Sequence, residues 1–225
     1  MKRKSRNLRD KIRRISVFDL DGTLLKGNSS YKFCQYLYRF NQISSSSLVY
    51  AGLCHLRYAY LGMPLIDLHQ NLFRKVLSGK TLSTLQQYVE PFLAKILPGA
   101  LYVPAVCALK EAIHMGHFTV ILSNSPSFLV EPIAKFLGVS AWRATEYSLD
   151  AKAALHGITT MMKGEEKAQA LIEIAKRLQV EKENIVAYSD SFSDVPFLME
   201  AGEVVAVQPD KRLRTFAKKQ DWSIL

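Results

Sequence analysis

The apolar and polar positions of this 225-residue chain follow two different patterns. Residues 15–20 (ISVFDL) form a short apolar run that ends in acids and a glycine, which predicts a buried strand leading into a loop. From residue 29 to about residue 97, apolar residues recur at helical spacing, and serine-, glycine- and proline-containing breaks separate the repeats. This second stretch predicts helices only.

Beyond residue 100, predicted strands and helices alternate. Strands are predicted at residues 117–123, 184–189 and 204–207. Helices are predicted at residues 103–115, 127–137, 164–178 and 194–201. The pattern of residues 141–158 is ambiguous and suggests short strands. Apolar strands between helices are typical of a parallel sheet that is covered on both faces. We therefore expect an α/β fold, a doubly wound parallel sheet with an inserted helical cap domain. The catalytic core would comprise residues 15–27 and 99–225, and the cap residues 28–98.

The net charge of +10 is concentrated at one end of the chain. Residues 1–14 contain eight Lys or Arg and one Asp, which gives +7 of that total. We expect a disordered basic tail that makes at most weak contact with an anionic surface. It has no interleaved aromatic residues, so no specific nucleic-acid partner is predicted.

Export, membrane insertion and zinc binding receive no support from the sequence. The apolar run after the basic residues is short, and the chain contains no window of about 18 consecutive apolar residues. The three cysteines, Cys34, Cys54 and Cys107, form no CxxC pair, and no histidine has ligand spacing with cysteines or acids. We expect a cytoplasmic protein with reduced thiols.

Three predicted strands end in polar residues: DLDGT from Asp19, SNS from Ser123 and SDSFSD from Ser189. In doubly wound sheets, ligands bind outside the carboxyl ends of the strands, where neighbouring strands converge. Four carboxylates gathered there would repel one another unless a cation neutralised them, and such oxygen ligands suit Mg²⁺. These carboxylates belong to Asp19, Asp21, Asp190 and Asp194.

Ser123 and Lys167 add a hydroxyl and an ammonium, which together with the metal could hold a phosphoryl group. Asp19 and Asp21 are two residues apart at a strand end, so their side chains should project the same way. We expect Asp19 to act as a nucleophile that forms an aspartyl-phosphate. Asp21 would be the general acid and base, with a raised pKa.

These motifs resemble those of the haloacid dehalogenase superfamily. FDLDGTL at residues 18–24 resembles its first motif, the strand ending in Ser123 its second, Lys167 its third, and Asp190 with Asp194 its fourth. The helical insert is similar to the C1 cap of the phosphoserine-phosphatase-like subfamily IB. The resemblance covers nearly the whole chain outside the basic tail.

The resemblance also implies a role for each motif residue. Asp190, the Asp19 side chain and the Asp21 backbone carbonyl would bind Mg²⁺, with Asp194 supporting the metal site. Phosphate would be held by the remaining motif residues, namely Ser123, the backbone N–H of Asn124, and Lys167. Lys163 is a rival for the lysine role. Lys167 is preferred because its distance of 23 residues to Asp190 resembles that in phosphoserine phosphatases.

One position departs from the family pattern. Phosphoserine phosphatases carry a glutamate where this chain has Asn28, and that glutamate reads the amino group of the substrate. A neutral asparagine offers an ammonium group no counter-charge, so phosphoserine is not the expected substrate. Arg57 and Arg74 in the insert could contact a second anionic group of a substrate, although surface exposure is the commoner state of such residues.

The sequence leaves three functions open. The first is a Mg²⁺-dependent phosphomonoester hydrolase acting on a small phosphorylated metabolite, with Asp19 as nucleophile. The second is a phosphotransferase of the same fold. The third is a non-catalytic module that docks on anionic lipid or nucleic acid through the basic tail. The first is the leading hypothesis, and the complete set of predicted catalytic residues argues against the third.

Overall fold

The computed structural model describes residues 13–225, apart from the side chains of residues 58–60 and 65. Its centre is a seven-stranded sheet with strand order β4-β3-β2-β1-β5-β6-β7. The strands are β1 (Ile15–Phe18), β2 (Phe118–Pro126), β3 (Ala141–Leu149), β4 (Leu155–Thr160), β5 (Ile185–Ser189), β6 (Glu203–Ala206) and β7 (Ser223–Ile224). All neighbours are parallel except β3 and β4. The central strand β1 lies between β2 and β5, so the strand order reverses beside it.

Helices cover the sheet on both sides. The helices of the described residues are α1 (Ser29–Arg39), α2 (Ser45–Leu61), α3 (Leu65–Leu72), α4 (Leu82–Ala100), α5 (Val103–His114), α6 (Ser127–Leu137), α7 (Gly164–Leu178), α8 (Val195–Leu198) and α9 (Lys211–Lys219). Alternate residues of β1 pack into two different apolar clusters, Phe18 on one face and Ile15 and Val17 on the other. The predicted doubly wound α/β sheet with a helical insert after its first strand is confirmed.

Helices α1 to α4 form the insert between β1 and α5. The Asn28 side chain caps the start of α1, because its Oδ1 accepts a hydrogen bond of 2.8 Å from the backbone N–H of Tyr31. Helix α3 continues into a π-helical turn, Phe73–Leu77. Apolar residues of the insert, such as Phe33 and Phe92, belong to the same buried cluster as Ile121 of the sheet. The insert therefore packs directly on the core.

Helix α4 extends further than its pattern predicts. The helical pattern predicts an end at about residue 97, but the helix runs to Ala100 and contains both Pro91 and Pro98. Proline removes a helical hydrogen bond and usually ends a helix. Here the buried side chains beside it, Leu97 and Ala100, continue the apolar face of the helix, and their burial offsets the lost bond.

The ambiguous segment after residue 140 consists of β3 and β4, which pair antiparallel at one edge of the sheet. Strand β2 is longer than predicted and contains an irregularity between Ser123 and Pro126. Residues 1–12 of the basic tail lie outside the described residues. Arg14, at the end of the predicted tail, donates a 3.1 Å hydrogen bond to Glu203. In the described part of the chain, every helix is too short or too polar to cross a bilayer.

Candidate active site

The carboxyl ends of β1, β2 and β5 meet at one side of the sheet. The backbone N–H of Asp19, just after β1, donates to the carbonyl of Tyr188 in β5 over 2.9 Å. A cavity of about 330 Å³ opens at this edge and extends into the helical insert. Six of the seven predicted site residues line it: Asp19, Asp21, Ser123, Asn124, Asp190 and Asp194. The seventh, Lys167, is hydrogen-bonded to Asp19.

Lys167 connects two of the acids. Its Nζ lies 2.7 Å from Oδ1 of Asp19 and 2.8 Å from Oδ2 of Asp194, and the side chain is 0% exposed. The hydroxyl of Ser189 also donates to Oδ2 of Asp194, over 2.7 Å. Lys163 instead approaches Glu166 at 3.8 Å, partly exposed. The structure therefore places Lys167, and not its rival, beside Asp19.

The glycine at the start of α7 allows this arrangement. A Cβ atom on Gly164 would clash with the backbone carbonyl of Ser193, so only glycine permits this close approach. The helix thus starts directly against the turn Phe192–Asp194. One helical turn later, Lys167 reaches Asp194 and Asp19.

The charges in this group do not balance. Four carboxylates share one ammonium among the described site residues. Burial raises the pKa of Asp19 well above its ordinary value, and the carboxylates of Asp194 and Asp190 add to the rise. Burial alone would lower the pKa of Lys167, but the carboxylates of Asp19 and Asp194 raise it, so the ammonium stays charged. The site therefore has more acidic groups than cationic groups to neutralise them.

The hydrogen-bond donors to the Asp21 side chain are serines, not Lys167. Its carboxylate accepts hydrogen bonds from the backbone N–H of Ser29 at 2.7 Å, from the Ser29 hydroxyl at 3.1 Å and from the Ser125 hydroxyl at 2.5 Å. The hydroxyls of Ser30 and Ser125 lie 2.7 Å apart. Burial raises the pKa of Asp21, and the bonds from the two donor serines oppose that rise. The raised pKa suits a group that both gives and takes a proton.

Ser29 and Ser125 were missed as functional residues by the sequence reasoning. Ser29 begins α1 and Ser125 lies near the end of β2, two ordinary places for serine. The available signal was that Ser125 is the third residue of SNS at the strand end that already supplied Ser123. The contact to Asp21 spans 104 residues and could not be inferred from local pattern.

Ser123 and Asn124 lie at the irregular end of β2 and are fixed there by hydrogen bonds. The Ser123 hydroxyl oxygen accepts a 3.1 Å bond from the backbone N–H of Ser125, and its side chain is buried. The backbone carbonyl of Asn124 accepts a 2.7 Å hydrogen bond from the hydroxyl of Thr145. Oδ1 of Asn124 is buried and, in the part of the chain that the structure describes, has no hydrogen-bond partner.

Asp190 lies against the loop after β1. Its Oδ1 accepts a 3.3 Å bond from the hydroxyl of Thr23, a contact that the sequence reasoning also missed. Gly22 has a φ of +85°, and a side chain there would clash with the Asp190 carboxylate. Burial, followed by the charge of Asp194, raises the pKa of Asp190 to about 7. A nearby cation would relieve this cost.

The donor set fits Mg²⁺. All candidate ligands are oxygens, and Oδ1 of Asp194 is buried without a hydrogen-bond partner among residues 13–225. Within those residues, no three His, Cys, Asp or Glu side chains form a ready-made metal cluster. Mg²⁺ commonly uses only one or two protein carboxylates and completes its shell with water and substrate phosphate, so a sparse set is suitable.

Known proteins are similar to this chain in sequence and in fold. The family model described as haloacid dehalogenase-like hydrolase matches residues 16–199. The chain is 28% identical over 218 residues to "Inhibition of morphological differentiation protein" of Streptomyces azureus, covering 95% of this chain and 78% of that one. It is 24% identical over 225 residues to a histidinol-phosphatase of Neisseria meningitidis serogroup C, covering 95% and 99% respectively.

Solved structures agree on the fold. A protein of unknown function from Bordetella pertussis Tohama I superimposes with a TM-score of 0.84 at 23% identity, covering 96% of this chain and 99% of that one. A substrate-bound phosphoserine phosphatase superimposes with a TM-score of 0.68 at 18% identity, covering 96% and 94%. The family match spans the strand ends that carry the acids, the serines and Lys167. The chain therefore belongs to the haloacid dehalogenase-like hydrolase family and is a phosphatase of that family.

Proposed function

We propose that the protein is a Mg²⁺-dependent phosphomonoester hydrolase that works through an aspartyl-phosphate on Asp19. The observation that carries this proposal is the separate anchoring of the paired acids. Asp19 is bonded to the buried ammonium of Lys167, whereas Asp21 is bonded to Ser29 and Ser125. One acid is therefore kept beside a positive charge, and the other is held by neutral donors in a position to exchange a proton.

In the first step, the phosphate group is held by the Ser123 hydroxyl, the backbone N–H of Asn124 and Lys167. Oδ1 of Asp19 is engaged by Lys167, which leaves Oδ2 to form a bond with phosphorus. The bond between phosphorus and the ester oxygen breaks as this bond forms. The leaving oxygen takes the proton of Asp21 and departs as an alcohol.

In the second step, the Asp21 carboxylate takes a proton from water. The water oxygen attacks phosphorus, the bond to Asp19 breaks, and inorganic phosphate is released. Hydrogen bonds from Ser29 and Ser125 keep Asp21 in one position for both steps. Lys167 neutralises charge on the transferring group, which is where phosphoryl transfer is accelerated.

We assign the metal ligands to Asp19, Asp190 and the backbone carbonyl of Asp21, because they border one cavity and are all oxygen donors. A bound Mg²⁺ would supply positive charge to the phosphate oxygens. Asp194 holds Lys167 directly and would support the metal through water. The excess of carboxylates over cations supports this assignment.

We also propose that residues 28–98 act as a cap that excludes water from the first step. The substrate would be a small phosphorylated molecule other than phosphoserine, because Asn28 is neutral and its Oδ1 is used to cap α1. A reducing compartment, the cytoplasm, suits the three free cysteines.

The test is hydrolysis of para-nitrophenyl phosphate with and without Mg²⁺, alongside Asp19→Asn. We expect metal-dependent release of phosphate by the wild type and at least about a 10³-fold lower kcat in the variant. The proposal fails if the wild-type protein shows no metal-dependent turnover on a broad panel of phosphate esters.

A further inference from the structure

The part of the cavity that extends into the helical insert is lined mainly by apolar and aromatic side chains. Phe73 of the π-helical turn stacks on Tyr147 of β3 at 5.6 Å between ring centroids, and Phe128 lies 6.3 Å from Tyr147. Leu68 and Val76 add aliphatic surface to this wall and are almost fully buried. This region, which we name the cap chamber, adjoins the catalytic acids.

The cap chamber contains no charged anchor. Among the described residues that line the cavity, none is Lys or Arg, and the only acids are the four at the catalytic end. Arg57 and Arg74, the candidates for binding a second anionic group, are exposed and do not line it. A charged group on the alcohol part of a substrate would therefore lose its hydration without gaining a partner.

Three titratable groups of the chamber, His69, Cys34 and Tyr147, are held in their neutral forms. Burial lowers the pKa of His69 to about 4 and raises the pKa of the Cys34 thiol to about 12. Burial also raises the pKa of the Tyr147 hydroxyl. His55 stacks on Tyr31 at 5.8 Å between centroids. The chamber therefore offers ring faces, and at neutral pH the hydrogen-bonding groups of His69, Cys34 and Tyr147 are uncharged.

We infer that the substrate is a phosphomonoester of an uncharged, largely apolar alcohol, either an aromatic ring or an alkyl chain of several carbons. This inference rests on the proposed function and names its substrate class. The cavity of about 330 Å³ lies at the small end of ligand pockets, which suits one ring or one short chain beside the phosphate. The four acids repel a second anionic group from the catalytic end as well.

The experiment compares alkyl phosphates of equal length and similar leaving-group reactivity. With Mg²⁺ present, kcat/KM is measured for hexyl phosphate, ω-aminohexyl phosphate and its ω-carboxy analogue. We expect hexyl phosphate to exceed both charged esters by at least about 100-fold. Equal values, or preference for a charged ester, overturn the inference. Benzyl phosphate in the same assay separates a preference for rings from one for chains.

A pair of isosteric variants tests whether the chamber itself sets this preference. Leu72 lines the cavity and is half-buried. In Leu72→Glu, the ratio of kcat/KM for ω-aminohexyl phosphate to that for hexyl phosphate should rise at least about 10-fold above the ratio in Leu72→Gln. Identical ratios in the two folded variants would show that the cap chamber does not set the substrate preference.

The two levels of the proposal fail in different ways. If para-nitrophenyl phosphate is hydrolysed with Mg²⁺ but the alkyl series shows no preference for the uncharged ester, the proposed function stands and the substrate class is wrong. If no phosphate ester is hydrolysed, the proposed function is wrong, and the substrate class falls with it.

Discussion

Lys167 and Asp194 form a fully buried ion pair with 2.8 Å between Nζ and Oδ2. The same ammonium lies 2.7 Å from Oδ1 of Asp19. Because Ser189 also donates to the bonded oxygen of Asp194, that carboxylate is fixed and can in turn fix Lys167. We therefore regard Asp194 as a positioning residue for Lys167.

Replacing Asp194 tests this relationship. Asp194→Asn keeps the shape of the side chain but removes the charge that orients Lys167. We expect kcat to fall about 100-fold, with a smaller change in KM, because a small displacement of a catalytic group is costly. Steady-state kinetics gives both parameters. Glu165→Gln, which replaces an exposed acid on the same helix as Lys167, is the control and should leave both parameters unchanged. Equal effects of the two variants would exclude a positioning role.

Asp190 should link metal binding to stability. Mg²⁺ at about 100 times its Kd is expected to stabilise the wild type by about 2.7 kcal/mol. Asp190→Asn should lose most of that gain. At pH 8, above the raised pKa of about 7, the metal-free variant should unfold at a higher temperature than the metal-free wild type, because a buried charge is gone. Calorimetry with and without Mg²⁺ measures both effects, with the exposed Asp221→Asn as control. Undiminished stabilisation by Mg²⁺ in Asp190→Asn would rule out this ligand.

Ser125 should tune the proton affinity of Asp21. Its hydroxyl bond favours the charged form of the carboxylate, so Ser125→Ala should raise the pKa of Asp21 further. The acidic limb of the pH profile of kcat should then move to higher pH, by up to about one pH unit. Ser30→Ala is the matched control, because Ser30 contacts Ser125 and not Asp21. A limb that stays in place, or moves to lower pH, contradicts this role.

Gly164 should be required for the contact between α7 and the Asp194 turn. A methyl group there meets the Ser193 carbonyl, so Gly164→Ala should move Lys167 away from its partners. We expect a destabilisation of about 1–3 kcal/mol and a loss of at least about 10-fold in kcat. Gly99→Ala, in a helix with open space around it, should change stability by no more than about 1 kcal/mol. Urea unfolding measures the stability of both variants, and steady-state kinetics measures their kcat. Equal stability and equal kcat in Gly164→Ala and Gly99→Ala would show that the contact is not needed.

The sequence predicted the features that depend on neighbouring residues. The apolar run of β1 and the acids that follow it are contiguous, so the buried strand and the position of Asp19 and Asp21 could be read directly. Helix α7 was predicted with its observed bounds because its apolar face is regular.

Features that depend on distant residues could not be read in this way. The bond from Ser125 to Asp21 and the approach of Gly164 to Ser193 arise only when the sheet edge is assembled. Helix α4 passes Pro98 because tertiary burial outweighs local propensity. The uncharged cap chamber is likewise a property of packing, since its walls come from α1, α2, α3, β2, β3 and α6 together.

The central claim, that Asp19 carries the phosphoryl group, is tested most directly by trapping that group. Para-nitrophenolate leaves without a proton, so Asp21→Asn should complete the first step on para-nitrophenyl phosphate and then stall for lack of a base. After acid quench, peptide mass spectrometry should place close to one phosphoryl group per molecule on the peptide that contains Asp19. A burst of para-nitrophenolate with no phosphorylated peptide, or a phosphoryl group on another residue, would contradict the account.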